Sequence, residues 1–381
     1  MTRMNNEVLG KLDALFITNP TNIRYLTGFV GLENRDAYLL LHSDKAFLFV
    51  SQFYTQEAKS VQLQNSFLKI HFPHIKTLEI SILSSDNRIT KQLQIVSKKE
   101  NIKTLQFESD NLSVSEFTSF TSTLSFLNLK PTQNIIETLR MKKFPREITA
   151  IRKAANLTDE CFTFIQKKIH KGVTESELAW EIETFFRQAG AQLAFSPIVA
   201  FGKNSSLPHY SPNGQGSTLS ENDLILFDFG ARVDGYCADM TRMIFIGKSK
   251  PEWIKAYNTV LKAQTTALDL LSNHFHLSIN ESVSKLNGAD IDQASREIIE
   301  DSGLPTYPHS LGHGVGLDIH EAPRLTIHQD ATLTADMVIT IEPATYIPEQ
   351  FGIRIEDLIH ITHSGIDILS KSTKNITILA Y

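Results

Sequence analysis

Acidic residues within apolar, strand-like segments constrain the fold of this chain more than any other feature. Asp228 directly follows the apolar run at 224–227, and Asp239 returns 11 residues later, where a hairpin would bring both carboxylates to one place. Glu342 ends the sequence VITIE, and Glu356 lies in the sequence GIRIED. Because burying an unpaired carboxylate costs several kcal/mol, the sequence predicts a partner for each of these four acids.

A histidine framed by glycines is the second unusual feature. The sequence HSLGHGVGLDIHEAP at 309–323 places glycine at positions 312, 314 and 316 around His313. Glycine lets the backbone pass close to a ligand or adopt a positive φ, so this segment can present one imidazole into a tight site. Four carboxylates in apolar surroundings together with such an imidazole favour a functional site over a set of isolated structural residues.

Composition excludes several classes of protein. Of the 381 residues, 41% are hydrophobic and 21% are charged, which is enough apolar surface for a folded core. The net charge of -5 disfavours a nucleic-acid-binding surface. The N-terminus lacks the apolar stretch of a signal peptide, and the longest apolar runs have about five residues where a membrane span needs about 20. With Cys161 and Cys237 expected as reduced thiols, we predict a cytoplasmic protein that binds neither nucleic acid nor membranes.

The first 130 residues alternate strand-like and helical stretches, which predicts a small α/β domain. The predicted strands are Ala14–Thr18, Ala37–Leu41, Ala46–Val50, Phe67–Ile70 and Thr104–Phe107. Pro131, and a mixed segment that ends at Pro145, place the domain boundary near residue 135. The predicted domains are therefore residues 1–135 and 136–381.

The second domain shows the same order of elements twice. Helical periodicity predicts a helix from Pro145 to His170, and then a helix with Thr174 as N-cap and Glu177 at the capping-box position. Predicted strands follow at 193–201, 224–231 and 241–246. Predicted helices at 251–271 and 290–302, and strands at 338–342 and 352–361, then repeat this order. Two helices followed by strands, twice over, predict a two-half architecture, although no sequence repeat accompanies it.

One polar segment interrupts the second half. Ser272–Gly288 is rich in turn-forming residues and is predicted to form an exposed excursion. Its His274 and His276 form a His-x-His pair, which we interpret as solvated or packed histidines because no third type of ligand lies nearby.

The motifs resemble those of the pita-bread metallopeptidases, which include Xaa-Pro aminopeptidase, prolidase and methionine aminopeptidase. The sequence NPTNIRYLTGF at 19–29 is similar to the N-terminal domain of the proline-specific branch, and LRMKKFPREITAIRKAA at 139–155 is similar to its linker helix. The resemblance implies an α/β (α+β) protein in which a small creatinase-like N-terminal domain is followed by a pita-bread catalytic domain.

The resemblance also implies five metal ligands. They are Asp228, Asp239, His313, Glu342 and Glu356. By analogy with the family, Asp239 and Glu356 bridge two divalent ions, and a hydroxide between the ions attacks the scissile carbonyl. Four carboxylates offset the charge of two such ions, and an oxygen-rich shell without thiolates favours Mn²⁺, with Co²⁺ or Zn²⁺ as alternatives.

Further residues match family positions around the metals. His209 and His320 match positions that hold the substrate and stabilise the tetrahedral intermediate, and His309 matches another histidine of the catalytic pocket. Arg354 is expected to orient a carboxylate ligand, and Arg324 to reach a substrate carboxylate. The chain departs from the family pattern at Ala344, where glycine is common; alanine resists a positive φ, which puts the local shape of the pocket in question.

The implied function is that of an enzyme, a metal-dependent exopeptidase. We expect it to remove the N-terminal residue from peptides with proline in the second position, as a Xaa-Pro aminopeptidase and as a homodimer. The alternative is a Xaa-Pro dipeptidase (prolidase). A non-catalytic binding protein, or a metal-free hydrolase of the creatinase type, is disfavoured because all five ligands are present.

Overall fold

The computed structural model describes residues 13–31, 35–64, 66–277 and 285–380. The chain divides into two compact units, Met1–Arg140 and Met141–Tyr381. The domain boundary at residue 135 stays a prediction.

The first unit is built on a six-stranded sheet with the strand order β4-β3-β2-β1-β5-β6. The strands are β1 Ala14–Ile17, β2 Ala37–His42, β3 Lys45–Ser51, β4 Thr77–Leu83, β5 Thr104–Glu108 and β6 Asn128–Thr132. The helices are α1 Pro20–Thr27, α2 Thr55–Lys59, α3 Phe67–His71, α4 Ile89–Lys99, α5 Val114–Thr123 and α6 Ile135–Met141, with a 3-10 helix at Gln52–Tyr54. Alternate residues such as Tyr38 and Leu40, and Phe47 and Phe49, lie in one core, as the period of a strand requires. The predicted α/β domain is confirmed.

The predicted strand at Phe67–Ile70 is wrong, because this segment forms helix α3. The Ser66 hydroxyl accepts a hydrogen bond from the backbone N–H of Lys69 at 3.3 Å and so caps the helix. Phe67 and His71, four residues apart, are both buried. A short apolar run does not distinguish a strand from a helical turn by its pattern alone, and the cap decides between them here.

The second unit repeats two helices and then strands, as predicted. The helices are α7 Pro145–Gln166, α8 Glu175–Gln188, α9 Pro251–Leu277 and α10 Gly288–Asp301, with a 3-10 helix at Gly202–Ser206. The strands of the first half are β7 Gln192–Leu193, β8 Ile198–Phe201, β9 Leu224–Phe229, β10 Ala231–Val233, β11 Tyr236–Cys237 and β12 Met240–Ile246. Those of the second half are β13 Gly312–Gly314, β14 Glu321–Leu325, β15 Val338–Ile341, β16 Ala344–Ile347, β17 Phe351–Arg354, β18 Asp357–Thr362, β19 Gly365–Ile368 and β20 Ile378–Leu379.

Two main sheets organise these strands. The first has the order β20-β12-β9-β8 and the second the order β14-β13-β15-β18-β19. A smaller sheet has the strand order β11-β10-β7, and strands β16 and β17 form a two-stranded sheet. The central strands β9 and β15 are buried at every residue, so the polar residues that they carry, Asp228 and Thr340, lie within the protein interior.

The first two helices of the second unit, α7 and α8, begin at the proline and at the capping residue that the sequence predicts. Helix α7 begins with Pro145, whose fixed φ suits the first helical turn. Helix α8 is capped by Thr174, whose hydroxyl accepts from the Glu177 backbone N–H at 3.2 Å while the Glu177 carboxylate accepts from the Thr174 N–H at 2.8 Å. The predicted capping box is therefore confirmed.

The predicted excursion from Ser272 is wrong in its first part. Helix α9 continues to Leu277, and the buried side chains of Leu271 and Phe275 extend its apolar stripe by one turn. His274 and His276 consequently lie on this helix. Residues 278–284 of the predicted excursion lie outside the described residues. In the part of the chain that the structure describes, no helix is both long enough and apolar enough to cross a bilayer.

Glu147 is a buried acid in the first turn of α7. Within the described part of the chain, two groups donate hydrogen bonds to its carboxylate. Its carboxylate accepts from the Phe144 N–H at 2.9 Å and from the Tyr236 hydroxyl at 3.1 Å. Burial raises the pKa of Glu147 to about 7, although these bonds and the charge of Lys143 oppose the shift.

Glu147→Gln tests this pKa. The pKa of the folded protein exceeds the unfolded value of 4.5, so folding favours the protonated acid, and stability is lost as the pH rises through about 7. We expect the variant to gain stability relative to the native chain between pH 5 and pH 8, by roughly 3 kcal/mol, since one pKa unit corresponds to about 1.4 kcal/mol. Urea denaturation of both proteins at the two pH values measures the difference.

Glu177→Gln is the matched control, because Glu177 occupies the same capping position in α8 but is exposed, and its pKa is lowered by hydrogen bonds from Thr174. Its difference from the native chain should stay constant over this pH range. A constant difference for Glu147→Gln as well would contradict the raised pKa.

Candidate metal centre

Three carboxylates meet where strands β9 and β12 pair. Asp228 lies in β9 opposite Thr241 of β12, and Asp239 directly precedes β12. Carboxylate oxygens of Asp228, Asp239 and Glu356 lie within 4.8 Å of one another, and all three residues are buried. The predicted pairing of the two aspartates in space is therefore observed, and Glu356, which directly follows β17, joins them.

His313 brings a second group of ligand atoms to the same place. A ring nitrogen of His313 and carboxylate oxygens of Glu342 and Glu356 lie within 4.8 Å of one another. His313 Nε2 is 3.4 Å from Glu342 Oε1 and 3.6 Å from Asp239 Oδ2. Glu356 thus belongs to both groups, and all five predicted ligands surround one buried position.

A glycine makes this placement of His313 possible. A Cβ atom at Gly312 would lie 2.0 Å from the carbonyl oxygen of Thr340 in the neighbouring strand β15, closer than any side chain can approach. The absence of a side chain therefore lets β13 pack against β15 and carry the imidazole to the carboxylates.

The electrostatics of the site favour bound cations. Burial, followed by the charges of neighbouring carboxylates, raises the pKa values of Asp239 and Glu356 well above their ordinary range. Burial also raises the pKa of Glu342 to about 8 against the opposing effect of Arg354. Within the described residues, Oδ1 of Asp228 and Oδ1 of Asp239 are buried without a hydrogen-bond partner. Carboxylates that repel one another and retain unused oxygens fit divalent cations.

The protonation state of His313 agrees with this fit. Burial lowers the pKa of His313 to about 3, so the ring is neutral. Its Nδ1 lies 3.1 Å from the carbonyl oxygen of Gly314, which can only accept, so Nδ1 carries the proton. Nε2 is then the nitrogen with a lone pair, and it faces Glu342 and Asp239. A backbone carbonyl that fixes the tautomer in this way is typical of metal-binding histidines.

Arg354 orders the carboxylate side of the site. Its guanidinium donates to Asp228 Oδ2 at 2.5 Å, to the Thr241 hydroxyl at 3.1 Å and to the Tyr346 hydroxyl at 2.6 Å. Thr241 in turn donates to Glu356 Oε2 at 2.8 Å. Arg354 therefore contacts one carboxylate directly and orients a second one through Thr241.

His309 lies at the far end of this hydrogen-bond chain. Its Nδ1 donates to the carbonyl oxygen of Ser310 at 2.8 Å, and its Nε2 accepts from the Tyr346 hydroxyl at 3.0 Å. Burial and the charge of Arg354 lower the pKa of His309 to about 4, so the ring is neutral. Both ring nitrogens are thus engaged with the protein.

His320, His209 and Arg324 lie at the open side of the site. The His320 ring is exposed, and its centre is 4.4 Å from that of His313. His209 is exposed, and the carbonyl oxygen of the preceding Pro208 accepts a hydrogen bond from Arg354 at 3.2 Å. Arg324 is the strand partner of His313, is exposed, and, after burial, is the largest cause of the lowered pKa of His320.

The alanine at 344 fits its surroundings. Ala344 is fully buried in β16 opposite Arg354, in a regular antiparallel pair. Extended backbone accommodates alanine, so this departure from the family pattern places no strained residue beside the site.

Sequence reasoning missed four residues that orient the ligands. They are Thr241, Arg242, Thr340 and Tyr346. Thr340 accepts from the His313 backbone N–H at 3.1 Å, and Arg242 donates to the carbonyl oxygen of Glu356 at 2.5 Å. Strand alternation could have identified Thr241 and Thr340, since each lies two residues from a carboxylate and therefore on its face of the strand.

Glu356→Gln tests whether the cluster holds cations. The glutamine side chain has the same shape as glutamate and can still accept the hydrogen bond from Thr241. It lacks the negative charge that Glu356 contributes to both groups of ligand atoms. We expect the content of tightly bound Mn²⁺, measured by mass spectrometry after dialysis, to fall from two ions per chain to one or none. Glu349→Gln, the same change at an exposed turn between β16 and β17, should retain the native content. An unchanged content in both variants would contradict the assignment.

Comparisons with known proteins agree with this geometry. The profile of the creatinase/prolidase N-terminal domain matches residues 7–142, and that of metallopeptidase family M24 matches residues 149–363. The chain is 32% identical to the uncharacterized peptidase YqhT of Bacillus subtilis over 370 residues, which cover 97% of this chain and 96% of the relative.

Solved structures show the same similarity. A Xaa-Pro dipeptidase from Bacillus anthracis is similar with a TM-score of 0.85 and 31% identity over 98% of each chain. An X-Pro aminopeptidase from Thermotoga maritima is similar with a TM-score of 0.82 and 28% identity over 98% of this chain and 99% of that chain.

These matches confirm the resemblance seen in the sequence, and the family implies divalent metal ions. The chain belongs to metallopeptidase family M24 and combines a creatinase N-terminal domain with a pita-bread catalytic domain.

Proposed function

We propose that this metallopeptidase removes the N-terminal residue from peptides with proline in the second position, with two divalent ions, Mn²⁺ first among them, as cofactors. The observation that carries the proposal is the convergence of five predicted ligands on one buried position. The similar structures include an X-Pro aminopeptidase and a Xaa-Pro dipeptidase, which supports specificity for proline.

The arrangement of ligand atoms supports a role for each residue. Glu356 belongs to both groups of ligand atoms, and Asp239 Oδ2 lies 3.6 Å from His313 Nε2 of the second group, so we assign these two carboxylates as the ones that would be shared between two ions. Asp228 would complete the ligand set of one ion, and His313 and Glu342 would complete that of the other. Bound divalent ions supply positive charge that lowers the pKa of a water molecule and polarises the scissile carbonyl.

Protein groups around the ligands hold the substrate and the developing charge. His320 is exposed beside His313, so its N–H can donate to the oxyanion that forms as the carbonyl is attacked. His209 is also exposed and is the second group assigned to hold the substrate. His309 acts through Tyr346 and Arg354, because both of its ring nitrogens already have protein partners.

The alternative activity is that of a prolidase, which cleaves Xaa-Pro dipeptides. One observation favours it: the exposed Arg324 lies close enough to His320 to affect its pKa, and a guanidinium there could bind the carboxylate of a dipeptide. Small aminopeptidases share the same overall organisation, and we rank the aminopeptidase first. The convergence of all five ligands argues against a non-catalytic binding protein and against a metal-free hydrolase of the creatinase type.

The setting of the enzyme is part of the proposal. We infer a cytoplasmic homodimer; neither Cys161 nor Cys237 forms a disulfide, which supports a reducing compartment. The dimer is an expectation that follows from the family.

Hydrolysis by the metal-reconstituted protein tests the activity. The substrates are a Xaa-Pro dipeptide and a longer Xaa-Pro-Yaa peptide, each with a control in which alanine replaces proline. We expect cleavage of the longer peptide before the proline, no cleavage of the controls, and loss of activity on chelation that Mn²⁺ restores. Cleavage confined to the dipeptide would favour the prolidase, and cleavage of neither proline substrate would contradict the proposal.

Arg324→Ala tests the carboxylate-binding role. If Arg324 binds the carboxylate of a dipeptide, its removal should raise KM for the dipeptide by about tenfold to a hundredfold, as for the loss of a charged hydrogen bond, and leave the longer peptide unaffected. Arg187→Ala, an exposed arginine of α8, should change neither substrate. Equal losses on both substrates in Arg324→Ala would contradict this role.

A further inference from the structure

A buried glutamate outside the metal centre organises the loop that carries His209. Glu175 is fully buried at the start of helix α8, immediately after the capping residue Thr174. The described structure shows no cation within ion-pair distance of it. Burying an ionised carboxylate destabilises a fold unless hydrogen bonds replace its lost hydration. The groups that donate hydrogen bonds to Glu175 therefore indicate which part of the structure it stabilises.

Four described donors converge on Glu175. The backbone N–H of Phe201 and the side-chain amide of Asn204 donate to Oε1 at 2.7 Å and 2.9 Å. The Tyr210 hydroxyl and the backbone N–H of Ser217 donate to Oε2 at 2.7 Å and 2.6 Å. The carboxylate therefore joins the beginning, the middle and the end of the segment 201–217, which we call the His209 loop.

The loop is shaped around this carboxylate. Gly216 has a φ of +73°, and a Cβ atom there would lie 2.4 Å from Glu175 Oε2. Only glycine allows the loop to close this tightly over the acid. Asn204 Nδ2 also lies 3.0 Å from the Tyr210 hydroxyl and 2.8 Å from the Ser217 hydroxyl. Its two N–H groups are shared among these oxygens and Glu175, so the donors are connected to one another.

Both neighbours of His209 are held in this way. Tyr210 on one side donates to Glu175, and the carbonyl oxygen of Pro208 on the other side accepts from Arg354 at the metal centre. The hydroxyl of Ser205 accepts from the Gly352 N–H at 2.8 Å, in the strand that leads to Arg354. The exposed imidazole thus extends from a backbone that is fixed on both sides.

We propose that Glu175 is a positioning residue for His209, holding the imidazole at the open side of the metal centre through Tyr210 and the His209 loop. The inference rests on the proposed function, in that His209 is taken to hold the substrate. Orientation of a group beside the reacting bond has a large effect on rate, because small displacements forfeit the geometry of attack.

A double-mutant cycle in the metal-loaded enzyme tests this positioning. Glu175→Gln would turn an amide N–H₂ towards backbone donors and disturb the fold, so the informative variant is Tyr210→Phe, which removes one hydroxyl. With His209 present, we expect Tyr210→Phe to lower kcat/KM for a Xaa-Pro-Yaa peptide by about tenfold. In the His209→Ala background the same change should cost less than about twofold, because the group being positioned is already absent.

The control is Tyr257→Phe, which removes a hydroxyl that donates to the Lys374 carbonyl oxygen at 2.9 Å and should leave kcat/KM unchanged. Equal losses from Tyr210→Phe in both backgrounds, or no loss in either, would overturn the proposal.

Amide hydrogen exchange separates this inference from the proposed activity. Tyr210→Phe should raise the exchange rates of residues 202–217 about tenfold and leave those of β9 and β12 unchanged. If the native enzyme cleaves no proline peptide, the proposed function fails, and exchange alone decides whether Glu175 fixes the His209 loop. Unchanged exchange in the loop would overturn the positioning role whatever the activity.

Discussion

Repulsion among buried carboxylates is the constraint on which the catalytic unit depends. Asp228, Asp239, Glu342 and Glu356 converge at a largely buried position, and the pKa values of the last three are raised by burial. Among the described residues, Arg354 forms an ion pair with Asp228, at 2.5 Å. Without further positive charge the cluster would take up protons, whereas bound divalent ions allow it to stay ionised. The fold therefore maintains a site that cations complete.

Besides Arg354 and Arg242, neutral groups of the sheets in this unit hold the ligands. Hydroxyls of Thr241 and Thr340 contact a carboxylate and the His313 backbone from the same strand faces that carry the acids. The backbone carbonyl of Gly314 fixes the tautomer of His313. Such partners orient the ligands without neutralising them, so the charge needed for cation binding is retained.

Much of this could be predicted from the sequence, because its strongest signals are local. An acid that directly follows an apolar run, as Asp228 does within β9, itself indicates a buried partner. Tyr346 and Glu175 carry no such signal, since their roles depend on partners brought close only by tertiary packing. The apolar run Phe67–Ile70 predicts a strand, whereas the hydrogen bond from the Lys69 N–H to the Ser66 hydroxyl caps a helix there. The sequence therefore does not predict whether a short apolar run forms a strand or a helix. It also does not predict hydrogen bonds between residues that are distant in the chain.

The most direct test of the central claim is the electron paramagnetic resonance spectrum of the protein loaded with Mn²⁺. Because Glu356 belongs to both groups of ligand atoms and Asp239 Oδ2 lies 3.6 Å from His313 Nε2, we predict two ions per chain whose spins would be coupled through shared carboxylates. The expected result is the spectrum of an exchange-coupled pair at saturating metal. The spectrum of isolated ions at every ratio of metal to protein would contradict a shared, carboxylate-bridged centre.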